Sequence, residues 1–216
     1  MIEQKDVIAF FDERAGEWDA GMVRSDEKIG RILDNAKVTA GSRVLDIACG
    51  TGVLIGDYLR RNVESVTAVD ISQSAIDVAR ANAVRNGLEG RMDFLTADVF
   101  DLLTELEKKG GKPYDFIILD PPAFTKSRKT VKSAERGYKD INLRALRLLP
   151  RGGYFATASC SHFMPSELFE KMLRSAALDA GVELRQIEAR QQSPDHPILW
   201  NVPETDYLKF YLFQVV

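Results

Sequence analysis

An apolar run that ends in small residues is the first segment of this sequence able to support chemistry. It covers residues 44–52 and reads Val-Leu-Asp-Ile-Ala-Cys-Gly-Thr-Gly. Small residues let the backbone approach a ligand closely, and a helix that begins after such a turn presents free N–H groups. A second acid, Asp70, ends the next apolar run along the chain. A carboxylate there can accept both hydroxyls of a ribose, so the spacing predicts a ribose-containing cofactor.

Two later segments carry groups that could react. Residues 120–124, Asp-Pro-Pro-Ala-Phe, follow an apolar run and predict a stiff projection that exposes the carboxylate to solvent. Cys160 ends another predicted strand, where a thiol could act as a nucleophile. The alternatives are a rigid turn for the first segment and an inert buried cysteine for the second.

These groups must be positioned by elements that alternate between short apolar runs and amphipathic stretches. Such alternation predicts an α/β fold with a mainly parallel sheet and helices on both faces. The predicted strands are 44–48, 65–70, 92–96, 116–120, 153–159, 183–189 and 207–214, and the predicted helices are 4–20, 25–37, 52–62, 72–86, 99–109, 132–149 and 164–180. Because ligands of open α/β sheets bind at the carboxyl ends of the strands, the fold should bring the reactive strand ends together.

Composition narrows the class of protein. The chain has 216 residues and a net charge of −3, and no apolar run approaches the ~20 residues of a membrane span. We expect one domain over residues 1–216, with an N-terminal helical cap over 1–40. The acidic start lacks the pattern of a signal peptide, and two cysteines, Cys49 and Cys160, are too few for a disulfide framework. We therefore expect a cytoplasmic protein with reduced thiols, no membrane contact and no metal.

Charge is concentrated between Lys126 and Arg151. This stretch holds nine basic residues against two acidic ones, Glu135 and Asp140. One interpretation is a solvated loop and helix face, and the other is a surface that binds the phosphates of RNA.

Residues 46–52 resemble the first motif of class I methyltransferases that use S-adenosylmethionine (AdoMet). The G-x-G-x-x-G turn of nicotinamide dehydrogenases, which binds pyrophosphate, has a different spacing. The resemblance implies a Rossmann-like fold with seven strands, the last two forming an antiparallel hairpin. It implies that Asp46 lies near the methionine end, that Asp70 binds the ribose and that Asp98 holds the adenine amino group. The cofactor residues implied in this way are Asp46, Ala48, Gly50, Gly52, Asp70, Ile71, Asp98, Val99 and Asp120.

From residue 72 to 216 the sequence resembles the cytosine-5 methyltransferases of large-subunit ribosomal RNA that carry an RNA-binding PUA domain. The matching stretches are residues 120–124, 136–142, 159–161, 195–197 and 207–209. The resemblance implies that Cys160 is the nucleophile and Asp120 its partner. Substrate contacts are expected at Pro121, Pro122, Phe124, Arg136, Tyr138 and Lys139.

Cytosine chemistry explains why both a thiol and a carboxyl are needed. C5 of cytosine is a poor nucleophile until a thiolate adds to C6, and protonation or hydrogen bonding at N3 stabilises the charge that develops. Cys49 lies inside the cofactor turn, where a small side chain is required, so we assign it no catalytic role. His162 and His196 are left out because a lone histidine is more often structural.

Residues 1–70, which precede the predicted helix 72–86, resemble small-molecule methyltransferases of the quinone-biosynthesis type instead. The resemblance rests on residues 10–19 and on the cofactor turn, and it predicts a composite with a join near residues 70–75. Either an engineered chimera or recombinant, or a natural lineage, would explain such a composite. Two alternatives to an RNA methyltransferase therefore stay open. One is a small-molecule methyltransferase, and the other is a domain that binds AdoMet without turnover.

Overall fold

A computed structural model describes residues 4–88, 90–125 and 127–216. Seven strands form one sheet in the order β3-β2-β1-β4-β5-β7-β6. The strands are β1 Arg43–Ile47, β2 Ser65–Asp70, β3 Met92–Thr96, β4 Phe116–Leu119, β5 Tyr154–Ser159, β6 Leu184–Arg190 and β7 Lys209–Val215. The helices are α1 Gln4–Arg14, α2 Asp26–Asn35, α3 Ile55–Arg60, α4 Gln73–Arg85, α5 Val99–Lys109, α6 Val131–Arg147 and α7 Ser166–Ala180.

Strands β1 to β5 run parallel, and β7 pairs antiparallel with both β5 and β6. The predicted fold class, including the antiparallel strand pair at the C-terminus, is therefore confirmed. In the register of β5 and β7, Ser159 lies opposite Lys209. Because β7 runs antiparallel to β5, its first residues lie at the edge of the sheet where β5 ends.

Two apolar clusters cover the two faces of the sheet. One contains residues of α5, α6 and α7, and the other contains residues of α2, α3 and α4. Each cluster includes fully buried side chains of the central strands, such as Ile117 on one face and Val44 on the other. Burial on both faces explains why the central strands are almost continuously apolar.

Most element boundaries lie within a few residues of their predicted positions, and α4 illustrates the cause. The hydroxyl of Ser72 accepts a hydrogen bond from the Ala75 N–H, which caps the helix at its predicted start. Gly87 has a φ of +68°, the left-handed conformation expected just after a helix. The helix predicted over 52–62 is shorter, because residues 51–54 form turns before α3 begins at Ile55. No helix in the described ranges is long and apolar enough to cross a membrane.

Candidate active site

A cavity of about 1090 Å³ opens at the carboxyl edge of the parallel strands. Its wall contains the turn after β1, the ends of β2 and β4, the start of α5 and part of α6. The predicted site residues that line it are Asp46, Ala48, Gly50, Asp70, Ile71, Asp98, Val99, Asp120, Pro121, Pro122, Phe124 and Cys160. The topology therefore brings both reactive strand ends and the predicted cofactor residues to one cavity.

The turn after β1 has a backbone that few residues tolerate. Ala48 has a φ of +62°, and Gly52 has a φ of +84°. A Cβ atom on Gly52 would lie 2.3 Å from Cδ1 of Ile55 and 3.2 Å from Cβ of Ala79, so α3 and α4 pack directly against this glycine. Gly52 is thus a packing residue behind the turn, whereas Gly50 faces the cavity. The unusual φ of Ala48 fits a turn whose shape serves a ligand.

Asp46 is a buried carboxyl at the end of β1. Tyr58 Oη donates a hydrogen bond to its Oδ2 at 3.1 Å. Burial raises the pKa of Asp46 to about 7, and the nearby Asp120 and Asp70 act in the same direction. A cationic ligand bound beside this carboxyl would lower its pKa, because a nearby positive charge stabilises the ionised form.

Asp70 ends β2 beside the glycine turn. Its Oδ2 accepts the Gly50 N–H at 3.0 Å and its Oδ1 accepts the Ser72 N–H at 2.9 Å. Each carboxylate oxygen retains a second lone pair, so both oxygens can still accept a ribose hydroxyl. Burial raises the pKa of Asp70 despite these two bonds. Its geometry fits the ribose role that the sequence predicts.

Asp98 has a structural function as well as a place in the cavity wall. Its Oδ1 accepts the Phe100 N–H at 2.7 Å and caps α5, while its Oδ2 accepts a bond from Gln4 Nε2 at 2.8 Å. One oxygen is therefore engaged by α5 and the other by the N-terminal helix. An adenine amino group would have to share or replace the Gln4 contact.

The N-terminal segment, which the sequence predicts as a helical cap, lines one side of the cavity. Asp12 on α1 accepts hydrogen bonds from the Ser72 hydroxyl and the Ser74 N–H, and Asp19 accepts one from the Thr51 hydroxyl. Its apolar side chains complete the wall at Val7, Phe11, Ala15, Trp18 and Met22. The cap is thus attached by polar contacts beside the two ligand-facing turns.

Asp120 and Cys160 follow two neighbouring parallel strands. In the register of β4 and β5, Leu119 lies opposite Thr157, so the two residues extend from the same edge into the cavity. Asp120 is open to the cavity, yet desolvation by the surrounding wall raises the pKa of its carboxyl to about 6. Burial and the charge of Asp120 raise the pKa of the Cys160 thiol, whereas the Ala123 N–H and Lys209 lower it.

Three predicted substrate residues lie away from the cavity wall. Tyr138 is fully buried: it packs against Phe124 with ring centroids 4.5 Å apart, and its hydroxyl accepts a bond from Ser159. Lys139 pairs with Asp179 of α7 at 2.6 Å, and Arg136 is exposed on α6. The helical period of α6 explains this, because only Ser133, Ala134 and Gly137 of that helix face the cavity.

Three cations of the basic stretch, all in its second half, form ion pairs, whereas Arg151 at its end forms none within the described chain. Arg144 bonds to Glu107 and Asp140, Arg147 bonds to Glu107, and Lys139 bonds to Asp179. The exposed cations of the other half have no ion pair within the described chain: Arg128, Lys129, Lys132 and Arg136. Lys126, the first residue of the predicted stretch, lies outside the described residues. The candidate phosphate surface is therefore the N-terminal half of the stretch, beside the cavity.

Two residues near the site were not predicted. Tyr58 binds Asp46 from α3, and no sequence signal links a helix tyrosine to a strand carboxyl across the intervening turn. Lys209 is 3% exposed at the start of β7. A lysine at the start of an apolar strand was the available signal, because charged residues are rarely buried without a specific partner.

Comparison with known proteins identifies the family of the domain. A family model described as a methyltransferase domain matches residues 38–201. A ribosomal RNA large subunit methyltransferase I of Aeromonas hydrophila is 44% identical over 195 residues, covering 87% of this chain and 49% of that protein. The same protein of Klebsiella pneumoniae is 39% identical over 202 residues, covering 90% of this chain and 50% of the relative. The chain thus spans about half the length of these relatives.

Solved structures share the fold. A Streptococcus mutans protein classed as a SAM-dependent methyltransferase superposes with a TM-score of 0.73 at 20% identity, covering 90% of this chain and 50% of that one. The N-methyltransferase NodS of Bradyrhizobium japonicum, solved with S-adenosyl-L-homocysteine (SAH), has a TM-score of 0.64 at 13% identity, covering 96% and 97%.

The similarity to ribosomal RNA methyltransferases extends across the predicted join at residues 70–75. A match over 87% of this chain is longer than residues 72–216, which make up about two thirds of it. It must therefore include part of the segment that precedes residue 72. The comparisons give no support to the predicted chimera.

Proposed function

Since this chain belongs to the methyltransferase domain family and uses AdoMet as its cofactor, we propose that it methylates C5 of a cytosine in ribosomal RNA through Cys160. The observation that carries the proposal is the convergence of Asp120 and Cys160, from two neighbouring strand ends, on the cavity that also holds Asp46 and Asp70. The names of the similar relatives support an RNA substrate.

The acids of the cavity fit the proposed cofactor. AdoMet carries a sulfonium, an ammonium and a ribose, and the site offers a buried carboxyl at Asp46 and a half-buried one at Asp70. When bound, the cofactor supplies an electrophilic methyl group. Asp70 accepts the ribose hydroxyls, and the ionised form of Asp46 stabilises the positive charge of the ligand.

Cys160 and Asp120 act on the base. The Cys160 thiolate forms a bond to C6, and the electron pair of the C5–C6 double bond moves to C5, which accepts the methyl group. Loss of the C5 proton and breakage of the C6–S bond then restore the double bond and release the thiolate. Asp120, with a pKa of about 6, is suited to share a proton with N3 while charge develops there.

The exposed cations beside the cavity are the proposed RNA contact. Lys132 and Arg136 are four residues apart, which places them along one side of the start of α6, and Lys129 lies in the 3-10 turn just before the helix. Ser133 and Gly137, their helix neighbours, face the cavity. We call Lys129, Lys132 and Arg136 the ridge. An RNA backbone whose phosphates bind this ridge would pass beside the cavity that contains the proposed catalytic residues.

The test is a covalent trap. Incubation with AdoMet and a ribosomal RNA fragment containing 5-fluorocytosine should give a stable protein–RNA adduct, because fluorine blocks the loss of the C5 substituent. The adduct should map to Cys160 by mass spectrometry and disappear in Cys160→Ala. An adduct that persists in Cys160→Ala, or methyl transfer to an apolar phenol without RNA, would contradict the proposal. Cofactor binding without transfer to any substrate would also contradict it and favour a binding module.

A further inference from the structure

Lys209 is a buried cation that touches the turn carrying Cys160. It is 3% exposed and lies opposite Ser159 in the pairing of β5 and β7. Its Nζ donates hydrogen bonds to the carbonyl oxygens of Ser161 at 2.6 Å and Tyr207 at 2.8 Å. The ammonium is thus fixed to the residue that directly follows Cys160.

The hydrogen bonds of Lys209 leave its charge uncompensated. An ammonium has three donors, and two of them are used by neutral carbonyls. No carboxylate of the described chain lies within ion-pair distance of its Nζ, although Asp206 acts on it from farther away. Burial accordingly lowers the pKa of Lys209 to about 8. Burying a cation in this way is unfavourable, so packing alone does not explain a lysine here.

The thiolate form of Cys160 needs a positive charge nearby, because burial and a carboxylate both disfavour it. The titratable groups that act on it are Asp120 at the end of β4, Tyr138 on α6, Tyr207 before β7 and Lys209 on β7. Among these groups of the described chain, Lys209 is the only cation. Asp120 and burial both oppose the thiolate, so any stabilising charge must come from Lys209.

We propose that Lys209 is a positioning residue whose ammonium provides the counter-charge of the Cys160 thiolate. The bonds to the Ser161 and Tyr207 carbonyls hold the ammonium at the turn, from which its charge acts on the thiol. This inference rests on the proposed role of Cys160 as the nucleophile. The two charged residues then have different roles: Asp120 shares a proton with N3 of the base, whereas Lys209 stabilises the thiolate.

The experiment measures the reactivity of Cys160 without RNA or AdoMet. The rate of iodoacetamide alkylation of Cys160 is followed from pH 6 to 10 by peptide mass spectrometry, which separates Cys160 from Cys49. Lys209→Met should raise the apparent pKa of the thiol by about one unit and slow alkylation at pH 7.5 about tenfold. Lys209→Arg should restore most of the wild-type rate, because it keeps the charge. Lys171→Met, on the exposed face of α7, is the matched control.

A purely structural lysine would behave differently. If Lys209 were only structural, Lys209→Met would have a lower melting temperature but the same pH profile of alkylation as the wild-type protein. That result would overturn the inference. If Lys209→Met does not fold, Lys209→Arg and Lys209→Gln provide the same comparison, with only the arginine variant retaining the thiol pKa of the wild-type protein. An RNA adduct at Cys160 with a profile insensitive to Lys209 would reject the inference alone. A profile sensitive to Lys209 without any RNA adduct would reject the proposed function and support the effect on the thiol.

Discussion

The two cysteines of this chain lie in similar places and differ in what surrounds them. Cys49 follows β1 and Cys160 follows β5, so both sit at the carboxyl edge of parallel strands and both line the same cavity. Cys49 is 7% exposed, and its Sγ donates to the Gly50 carbonyl at 3.7 Å. Burial, Asp46 and Asp70 raise the pKa of Cys49 far above its usual range. Cys160 is half-buried and has Lys209 beside its turn.

This contrast shows that strand-end position brings a thiol to the site but does not make it reactive. Both thiols lie near carboxylates, which disfavour the thiolate. A compensating cation acts on Cys160, whereas the groups that act on Cys49 from a distance are acids. This difference supports the proposal that the first turn holds the cationic cofactor and that the second exposes the nucleophile. Five predictions test this division.

The largest effect is expected from the cysteines themselves. Cys160→Ala should lower methyl transfer by at least about 1000-fold, because the covalent route is lost. Cys49→Ala should retain turnover within about tenfold and lower the free energy of unfolding by about 1 kcal/mol, since it removes only a buried sulfur. A tritiated-methyl assay and urea denaturation check the pair. Equal losses of activity in both variants would end the comparison.

Asp120 should affect the two steps of the proposed chemistry in opposite directions. Asp120→Asn should lower kcat about 100-fold, because an amide cannot carry a proton to N3. The same change should speed alkylation of Cys160 several-fold, since it removes the negative charge that opposes the thiolate. Slower alkylation in this variant would show that Asp120 activates the thiol instead.

Asp46 should link cofactor selectivity to pH. Its pKa of about 7 means that the carboxyl ionises between pH 6 and 8, so the preference for AdoMet over the uncharged thioether of SAH should fall about tenfold as pH drops from 8 to 6. Asp46→Asn should lose both the preference and its pH dependence. Calorimetric titration of both ligands checks this. The control is Asp101→Asn, which changes an exposed carboxyl on α5.

Asp46 should also lower the free energy of unfolding of the ligand-free protein at high pH. The folded-state pKa lies above the value of about 3.9 expected in the unfolded chain, so the folded state binds the extra proton. Stability must then fall as pH rises from about 4 through 7, with the full loss present above 7. Asp46→Asn should therefore raise the free energy of unfolding at pH 8 by about 1–2 kcal/mol and have little effect at pH 4. Urea denaturation at the two pH values checks this, and an equal change at both would contradict it.

The smallest effects are expected on the ridge beside the cavity. Lys132→Ala and Arg136→Ala should each weaken RNA binding a few-fold and reduce the slope of log K against log salt by about one. Arg147→Ala is the matched control, because its guanidinium already pairs with Glu107. Binding measured from about 50 to 200 mM salt checks the three variants. An equal change of slope in the control would show that the ion-paired half also contacts phosphate.

The residues that line the cofactor side of the cavity could be proposed from the sequence because each one is marked by a local pattern. The turn after β1, the acid at the end of β2 and the acid before α5 each follow an apolar strand, and that local order is written in the sequence. The predicted substrate residues on α6 were harder to place. Their sequence neighbours face the cavity, but a helix turns about 100° per residue, so Tyr138 lies in the core and Lys139 points to Asp179.

The sequence by itself determined the fold class, the strand ends and the types of reactive group, because hydrophobic periodicity and small-residue turns are local properties. Only the tertiary structure decided the surroundings of each group. Contacts between distant parts of the chain include the Asp46–Tyr58 bond, the Gln4–Asp98 contact and the ion pairs of three cations in the basic stretch. The same holds for Lys209, which reaches the Cys160 turn through an antiparallel pairing of β5 and β7. Charge and burial act through space, so the chemistry that separates the two cysteines emerges only on folding.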